Sequence, residues 1–434
     1  MTLAPSRAPA AAWPGLGVVP SGARATVSAR VARRLFEVAV SRLEVTVVVE
    51  NPEGRQVLGR GGPVMTVHRP REFFARIGRH QLIGFGEAYL TGAWDAEDLV
   101  GFLTVLAAEL QHLVPRSLQR VRSMVVARPP RVHRNSTRNT RDNIAHHYDL
   151  SNDLFGLFLD PSLSYSSALF DTEVLPAANH RQAAVPAEGS DLHAGQLRKI
   201  DRLLDETRVG EGSRVLELGT GWGELAIRAA QRGATVRTVT LSSEQKALAE
   251  ARIAAAGVAD RVEVELCDYR QLRPEDGRYD AVVSVEMLEA VGHEYWSTYF
   301  TTVDRMLAPG GRVGIQAITM PHDRMLATRR TYTWINKYIF PGGFLPSVEA
   351  VEQVTSRDTT LRVSNRLSMG LHYAETLRQW DQAFLAASAE VRRLGFDETF
   401  ERMWHFYLEY SRAGFTSGYL DVQQFTLARP EERS

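Results

Sequence analysis

The stretch "SRVLELGTGWGELAIRAA", residues 213–230, decides the fold. Val215, Leu216 and Leu218 form a short apolar run, as in a strand covered on both faces. Gly219, Gly221 and Gly223 follow at once, and a helical spacing begins at Glu224. Glycine tolerates a sharp strand-to-helix turn and lets backbone approach a ligand closely. A dinucleotide fingerprint reads G-x-G-x-x-G, but here its last position is Glu224. There is no P-loop Lys-Ser either. Glu217 stands two residues before the first glycine. An S-adenosylmethionine turn therefore outranks a nicotinamide one, because that cofactor has no pyrophosphate and carries an ammonium and a sulfonium.

Outward from this turn the pattern alternates. Helical spacing in "LHAGQLRKIDRLLDET" precedes it, and "ATVRTVTLS", "RVEVELCDY", "YDAVVSVEML" and "GRVGIQAIT" read as strands separated by helices. Alternation of this kind predicts an α/β, doubly wound, Rossmann-like parallel sheet, with ligands at the carboxyl ends of its strands. The second strand ends in "VTLSSEQ", where a ribose-binding acid is expected. Thr240, Ser242 and Gln245 offer neutral hydrogen-bonding groups instead, and Glu244 is the only acid. After the third strand, Tyr269 can stack on adenine and Asp268 can accept from its exocyclic amine. Taken alone, Tyr269 reads as a strand-end aromatic.

Before residue 146 the composition shifts. Residues 1–27 are rich in Ala, Pro and Gly and read as a flexible tail, since prolines and glycines break the run a secretory signal needs. Residues 28–113 suggest a small α+β domain. It has a helix in "ARVARRLFEVAVSRL", strands in "EVTVVVENP" and "PVMTVHRP", and helices in "REFFARIGRH" and "WDAEDLVGFLTVLAAELQHLV", the last capped by Asp95. Residues 114–145 form a basic linker, with eight arginines and no acid between 115 and 141. Two readings stand: a solvated linker, or attraction to anionic lipid headgroups. Few aromatics there, and 51 basic against 51 acidic residues overall, argue against nucleic acid. The single cysteine, Cys267, excludes an intramolecular disulfide and any multi-cysteine metal site. No metal is expected, and His146 and His147 read as loop hydrogen-bonders. A single cysteine fits a reducing cytoplasm, where the enzyme is expected, and no uncharged apolar run reaches transmembrane length.

Several segments, in order, resemble the cyclopropane-fatty-acyl-phospholipid synthase family of S-adenosylmethionine-dependent lipid methyltransferases. They are "HHYDLSNDLFGLFLDPSLSYSSALF", "VLELGTGWGELAIRAA", "VTLSSEQ", "VSVEMLEAVGHEYW", "WINKYIFPGGFLPS" and "FYLEYSRAGF". The likeness covers about residues 140–428, which suggests a methyltransferase domain over 146–434. "GFGEAYLTGAWDAEDL" resembles the small lipid-handling domain of the phospholipid-acting members. The resemblance implies that Tyr165 and Ser166 lie against the cofactor with Glu217, Gly219, Gly221, Thr240, Leu241, Gln245, Asp268 and Tyr269.

The resemblance also implies the reaction. A methyl group goes to an alkene carbon of an acyl chain, leaving a carbocation that Tyr373 and Trp296 can stabilise through their ring faces. A base then removes a proton. In this family the base is a bound bicarbonate held by a cysteine, a glutamate, a histidine and a tyrosine. Glu289 and Tyr373 fall at matching positions, while Ser167 replaces the cysteine and Gln316 the histidine. Ser411 stands where many members have a cysteine. The replacements keep hydrogen-bonding capacity, so the expected catalytic set is Glu289, Tyr373, Ser167 and Gln316. Whether bicarbonate binds or Glu289 acts through an anion or water stays open. Glu286 has a structural reading.

Ser167, Gln316 and "YSRAGFTSGYLDVQQFTLAR" look most like the branch that makes 10-methylene fatty acids on the way to tuberculostearic acid. An unsaturated phospholipid, an anionic membrane surface and a separate flavin-dependent reductase are the implied partners. The rival readings are a cyclopropane synthase, an inactive lipid- or partner-binding scaffold and a small-molecule methyltransferase. Residues 171–191 read as a polar insertion, either a lid or a surface loop, and oligomeric state is left open.

Overall fold

The computed structural model describes residues 13, 15–113 and 152–430. The basic linker, His146 and His147 lie outside the described residues, as does most of the N-terminal tail. The chain divides into two compact units. One combines the residues up to 113 with Thr331–Ile339 and Trp380–Tyr419; the other contains the described residues 152–330, Phe340–Gln379 and those from Leu420 onward. The apportioning is thus discontinuous, unlike the linear division suggested by composition.

The first unit holds a four-stranded sheet in the order β2-β1-β3-β4: β1 (Thr46–Asn51), β2 (Gly54–Gly59), β3 (Val64–Val67) and β4 (Trp94–Ala96). Helices α1 (Ala23–Val40), α2 (Pro70–Leu90) and α3 (Leu99–Leu113) accompany it. Alternate residues of β1 and β3 are buried, the period expected of a strand with one covered face. Asp95 does not cap α3. It lies in β4 and accepts from Arg402 Nη2 at 2.7 Å, while Asp98 Oδ1 takes the Gly101 N–H at 2.9 Å. A cap must sit one residue before the helix, and β4 pushes that point to 98. The helix Glu398–Thr416 packs on α2 and α3, with Phe406 against Tyr89 and Trp334, at ring centroids of 5.0 and 4.9 Å. Trp334, in the "WINKYIFPGGFLPS" segment, is therefore interior to this unit.

The second unit holds a nine-stranded sheet in the order β5-β6-β12-β13-β11-β10-β7-β8-β9. Its strands are β5 (Val174–Pro176), β6 (Arg181–Ala183), β7 (Arg214–Leu218), β8 (Thr235–Thr240), β9 (Val262–Leu266), β10 (Tyr279–Val285), β11 (Leu307–Thr319), β12 (Arg362–Ser368) and β13 (Asp421–Ala428). The run β11-β10-β7-β8-β9 is parallel, as the alternation predicts. β13 inserts antiparallel between β11 and β12. The 171–191 insertion forms the β5–β6 hairpin, and β6 pairs with β12, so it extends the sheet edge. The remaining helices are α4 (Asn152–Gly156), α5 (Leu192–Glu206), α6 (Glu224–Gln231), α7 (Ser243–Ala255), α8 (Leu288–Val291) and α9 (Trp296–Met306), followed by shorter ones and by Gly370–Ala386. Aliphatic and aromatic side chains fill both faces of the sheet.

Chain order reverses between β7 and β10. Strands β8 and β9 go to one side of β7, and β10 and β11 to the other. Such a switch point opens a crevice at the carboxyl ends of the two central strands. Ser284 pairs with Leu218 in register, and its hydroxyl donates to the Leu218 carbonyl at 3.0 Å. The glycine turn after β7 and the residues after β10 are thereby held side by side.

Candidate active site

The crevice is a cleft lined by Tyr165, Ser166, Glu217, Gly219, Gly221, Thr240, Leu241, Gln245, Asp268 and Tyr269. Every residue expected to touch the cofactor reaches this one cleft. Gly219 and Gly221 have φ of 93° and 52°, a region that strains any residue with a Cβ. Thr240 Oγ1 donates to Gln245 Oε1 at 3.0 Å, and Ser242 caps α7 by accepting the Gln245 N–H. Asp268 is held by its neighbour Arg270, whose Nε lies 2.9 Å away. Tyr269 is buried edge-on against Tyr299.

Glu217 is the polar anomaly of the turn. It is buried, and its Oε2 meets no hydrogen-bond partner among the described residues. Burial pushes its carboxyl up to about 8, with Thr238 pulling the other way. An orphaned carboxylate oxygen beside a glycine cradle fits a cationic ligand. That is the ligand class the sequence indicates.

The segment 160–170 closes one wall. It forms no helix or strand and is held by side chains instead. Asp160 Oδ2 takes the Ser162 N–H at 2.9 Å, and Gln196 Nε2 donates to the Ser166 carbonyl at 2.9 Å. The Ala168 N–H donates to Thr376 Oγ1 at 3.1 Å, and the Phe170 N–H to His372 Nδ1 at 2.9 Å. Burial lowers His372 to about 4, so it is neutral, with Nε2–H donating to the Ala184 carbonyl. Ser162 to Ser166 face the cleft, which explains why so irregular a stretch accompanies a nucleotide turn.

The expected catalytic residues are arranged differently from the sequence reading. Ser167 and Gln316 converge on Glu286, not on Glu289. Glu286 Oε1 accepts the Ser167 N–H at 2.9 Å and Gln316 Nε2 at 2.9 Å. Tyr373 also hydrogen-bonds to this carboxyl, and Lys199 acts on it electrostatically. Burial raises the Glu286 carboxyl, and Lys199, Gln316, Ser167 and Tyr373 hold it back. Glu286 and Lys199 line the cleft; Glu289, Ser167, Gln316 and Tyr373 stand outside its lining. Glu289 accepts the Ile318 N–H through Oε1, and its carbonyl receives Phe344 N–H at 2.9 Å. Glu289 Oε2 is buried without a partner among the described residues, and burial pushes this carboxyl up to about 8. Trp296 is a core residue with its indole N–H on the Leu288 carbonyl.

The orientation of Gln316 is set from behind. Arg202 can only donate, and its Nη1 lies 2.6 Å from Gln424 Oε1. That leaves Gln424 Nε2 to donate to Gln316 Oε1 at 3.0 Å, so Gln316 presents its NH₂ to Glu286. Lys199 is fully buried on α5, and its Nζ contacts Ser166 Oγ. Burial lowers this ammonium to about 8 against the pull of Glu286 and Asp160. Sequence reading passed over Lys199, Arg202 and Gln424. One signal was available: Gln196, Lys199 and Leu203 share the buried face of α5, and polar residues on such a stripe need a reason.

A mycolic acid cyclopropane synthetase family model matches residues 135–425. The chain belongs to that family. It is 50% identical over 434 residues to the tuberculostearic acid methyltransferase of Mycobacterium tuberculosis, covering 99% of both chains. It is 31% identical to the cyclopropane-fatty-acyl-phospholipid synthase of Escherichia coli, over 83% of this chain and 87% of that one. Among solved structures, the cyclopropane synthase MmaA2 from Mycobacterium tuberculosis superposes with a TM-score of 0.58 at 31% identity, covering 66% of this chain and 98% of that one. A mycolic acid cyclopropane synthase complexed with SAH and CTAB gives 0.57 at 31% identity, covering 66% and 97%. The family is one of S-adenosylmethionine-dependent methyltransferases, and this chain is such an enzyme.

Proposed function

We propose that the enzyme methylates the double bond of an oleoyl-type phospholipid chain to give a 10-methylene acyl group, which a separate flavin-dependent reductase then saturates to 10-methylstearoyl. The observation that carries this reading is the full-length likeness to a tuberculostearic acid methyltransferase, at 50% identity. Ser167 and Gln316, where the cyclopropane-type pattern has cysteine and histidine, support the same branch.

S-adenosylmethionine, when bound, supplies an electrophilic methyl group. Glu217 offers an anionic partner to its cationic end, and Gly219, Gly221, Thr240, Leu241, Gln245, Asp268 and Tyr269 surround the rest. The alkene π pair forms the new C–C bond at C10, leaving the positive charge at C9. A hydride shift from C10 to C9 moves that charge to C10, beside the new methyl. Loss of a methyl proton to a base gives the exocyclic C=C bond. The cleft must exclude water, which would trap the cation. Val239, Leu241, Val285, Met287 and Val291 supply apolar lining.

The substrate implies a membrane surface at the cytoplasmic face, with the first unit handling lipid. Helix α1 supports this: Val27, Val31, Leu35 and Val38 are exposed along one face, with Arg24, Arg30 and Arg34 also exposed. Aliphatic and basic groups on one helix surface suit an anionic bilayer. No helix among the described residues is long and apolar enough to cross a membrane.

The test is expression in a host that makes oleate. Methylene and cyclopropane products have the same mass, so proton NMR of the isolated C19 ester decides between them. Vinylidene protons are expected; high-field ring protons would establish the cyclopropane alternative.

A further inference from the structure

Four acids line the cleft: Glu217, Glu224, Asp268 and Glu286. Glu224 is paired with Arg252 at 2.8 Å and Asp268 with Arg270. Glu217 sits near the end of β7, two residues before the first glycine of the turn. Glu286 differs from all three. Neutral donors hold it, from Ser167, Gln316 and Tyr373. It stands directly after β10, beside the turn after β7, and its own N–H donates to the Gln316 carbonyl at 2.8 Å. Its backbone adopts φ of 49°. A left-handed glutamate is strained, and such strain persists where surrounding structure fixes it. Ser167 and Gln316 both donate to Oε1, at 2.9 Å each.

We infer that Glu286 is the built-in catalytic base, taking the methyl proton of the carbocation directly, so that the reaction needs no bound bicarbonate. The inference rests on the methyltransfer reading above. In the step, the C–H pair of the new methyl becomes the π bond at C10. The cation is neutralised, and the proton passes to the Glu286 carboxylate. Neutral donors steady the carboxylate without cancelling its charge, as a salt bridge would. Lys199 is a positioning residue that fixes Ser166 and biases Glu286 toward its charged form. Glu289 has its Oε1 committed to the Ile318 N–H and stands outside the cleft lining.

The experiment uses the full-length enzyme with S-adenosylmethionine and oleoyl phosphatidylglycerol vesicles, in carbonate-free buffer and again with added bicarbonate. Release of S-adenosylhomocysteine and cofactor affinity are both measured. The parent rate is expected to stay within twofold on removing bicarbonate. Glu286→Gln should lose about 100-fold or more in turnover, the usual scale for a lost general base, with cofactor affinity within threefold. Glu286→Ala leaves space for a small carboxylate, and formate or bicarbonate should restore its rate about tenfold or more. Three results would overturn the inference: a Glu286→Gln rate within tenfold of the parent, a parent rate that collapses without bicarbonate, or loss of cofactor affinity in both variants with no rescue. A cyclopropane product from the parent would sink the methylene reading alone. An active parent with an unimpaired Glu286→Gln would sink this inference alone.

Discussion

Lys199 and Glu286 show how one residue tunes another across the cleft wall. Glu286 must be charged to accept a proton, so turnover falls as pH drops through its pKa. Burial raises that pKa and the Lys199 ammonium lowers it. Lys199→Met removes the cation, and the acid limb of the kcat/KM profile should move to higher pH. The other ionisable groups acting here are Tyr373 on Glu286, Glu289 facing Glu286, and Asp160 on Lys199. None of them replaces the lost positive charge. An unmoved acid limb would show that Lys199 serves packing only. The glycine turn at the cleft was legible in the sequence because strand, turn and helix are contiguous there. The carboxylate hub was not. Glu286 meets partners 119 and 30 residues distant, and "EMLE" contains two acids that spacing alone cannot rank.

At the scale of elements, periodicity located most helices and the parallel strands correctly. It missed β2, the return strand of a hairpin with β1, and the β5–β6 hairpin, and it missed β12 and β13, whose pairing depends on neighbours brought from elsewhere in the chain. It also overextended α3 backward, because Trp94 and Asp95 suit a helix start as well as a short strand. Helix α1 carries a prediction of its own. A helix that merely covers the first unit would not direct Val31 and Leu35 outward, where they are 54% and 56% exposed. Leu35→Asp combined with Val31→Asp should weaken sedimentation with phosphatidylglycerol vesicles by about tenfold or more, from lost apolar insertion and added like charge. Turnover on detergent-dispersed substrate should stay unchanged. Unaltered vesicle binding would exclude this face as the contact.

At the scale of the molecule, the first unit is assembled from three separated stretches, and Glu87 joins two of them. It receives Tyr338 OH at 3.1 Å and the Lys337 ammonium, with His80 Nδ1 at 3.0 Å. Burial alone would raise its carboxyl, but His80 and Lys337 outweigh it and hold the group down to about 2. A depressed pKa contributes stability above the ordinary carboxylate range. That stability is lost as pH falls toward 2. Glu87→Ala should lower the stability of this unit by on the order of 1 kcal/mol at neutral pH, since it removes the buried acceptor shared by His80, Lys337 and Tyr338, while His80 and Lys337 themselves stay partly solvated. Calorimetry of the lower-melting transition checks this, and the variant should also show a flatter dependence on acid. No local pattern in the sequence links residue 87 with residues 337 and 338, so the unit's discontinuity could not be foreseen.

β13 lies between β11 and β12 in the sheet although it follows both in the chain. It also carries Gln424, which turns the Gln316 amide toward Glu286. Until residues 421–428 dock, β12 and the hairpin beside it have no bridge to the parallel strands, and the amide has nothing to choose its direction. A chain still being synthesised can therefore complete its cofactor turn while its proton acceptor remains unset.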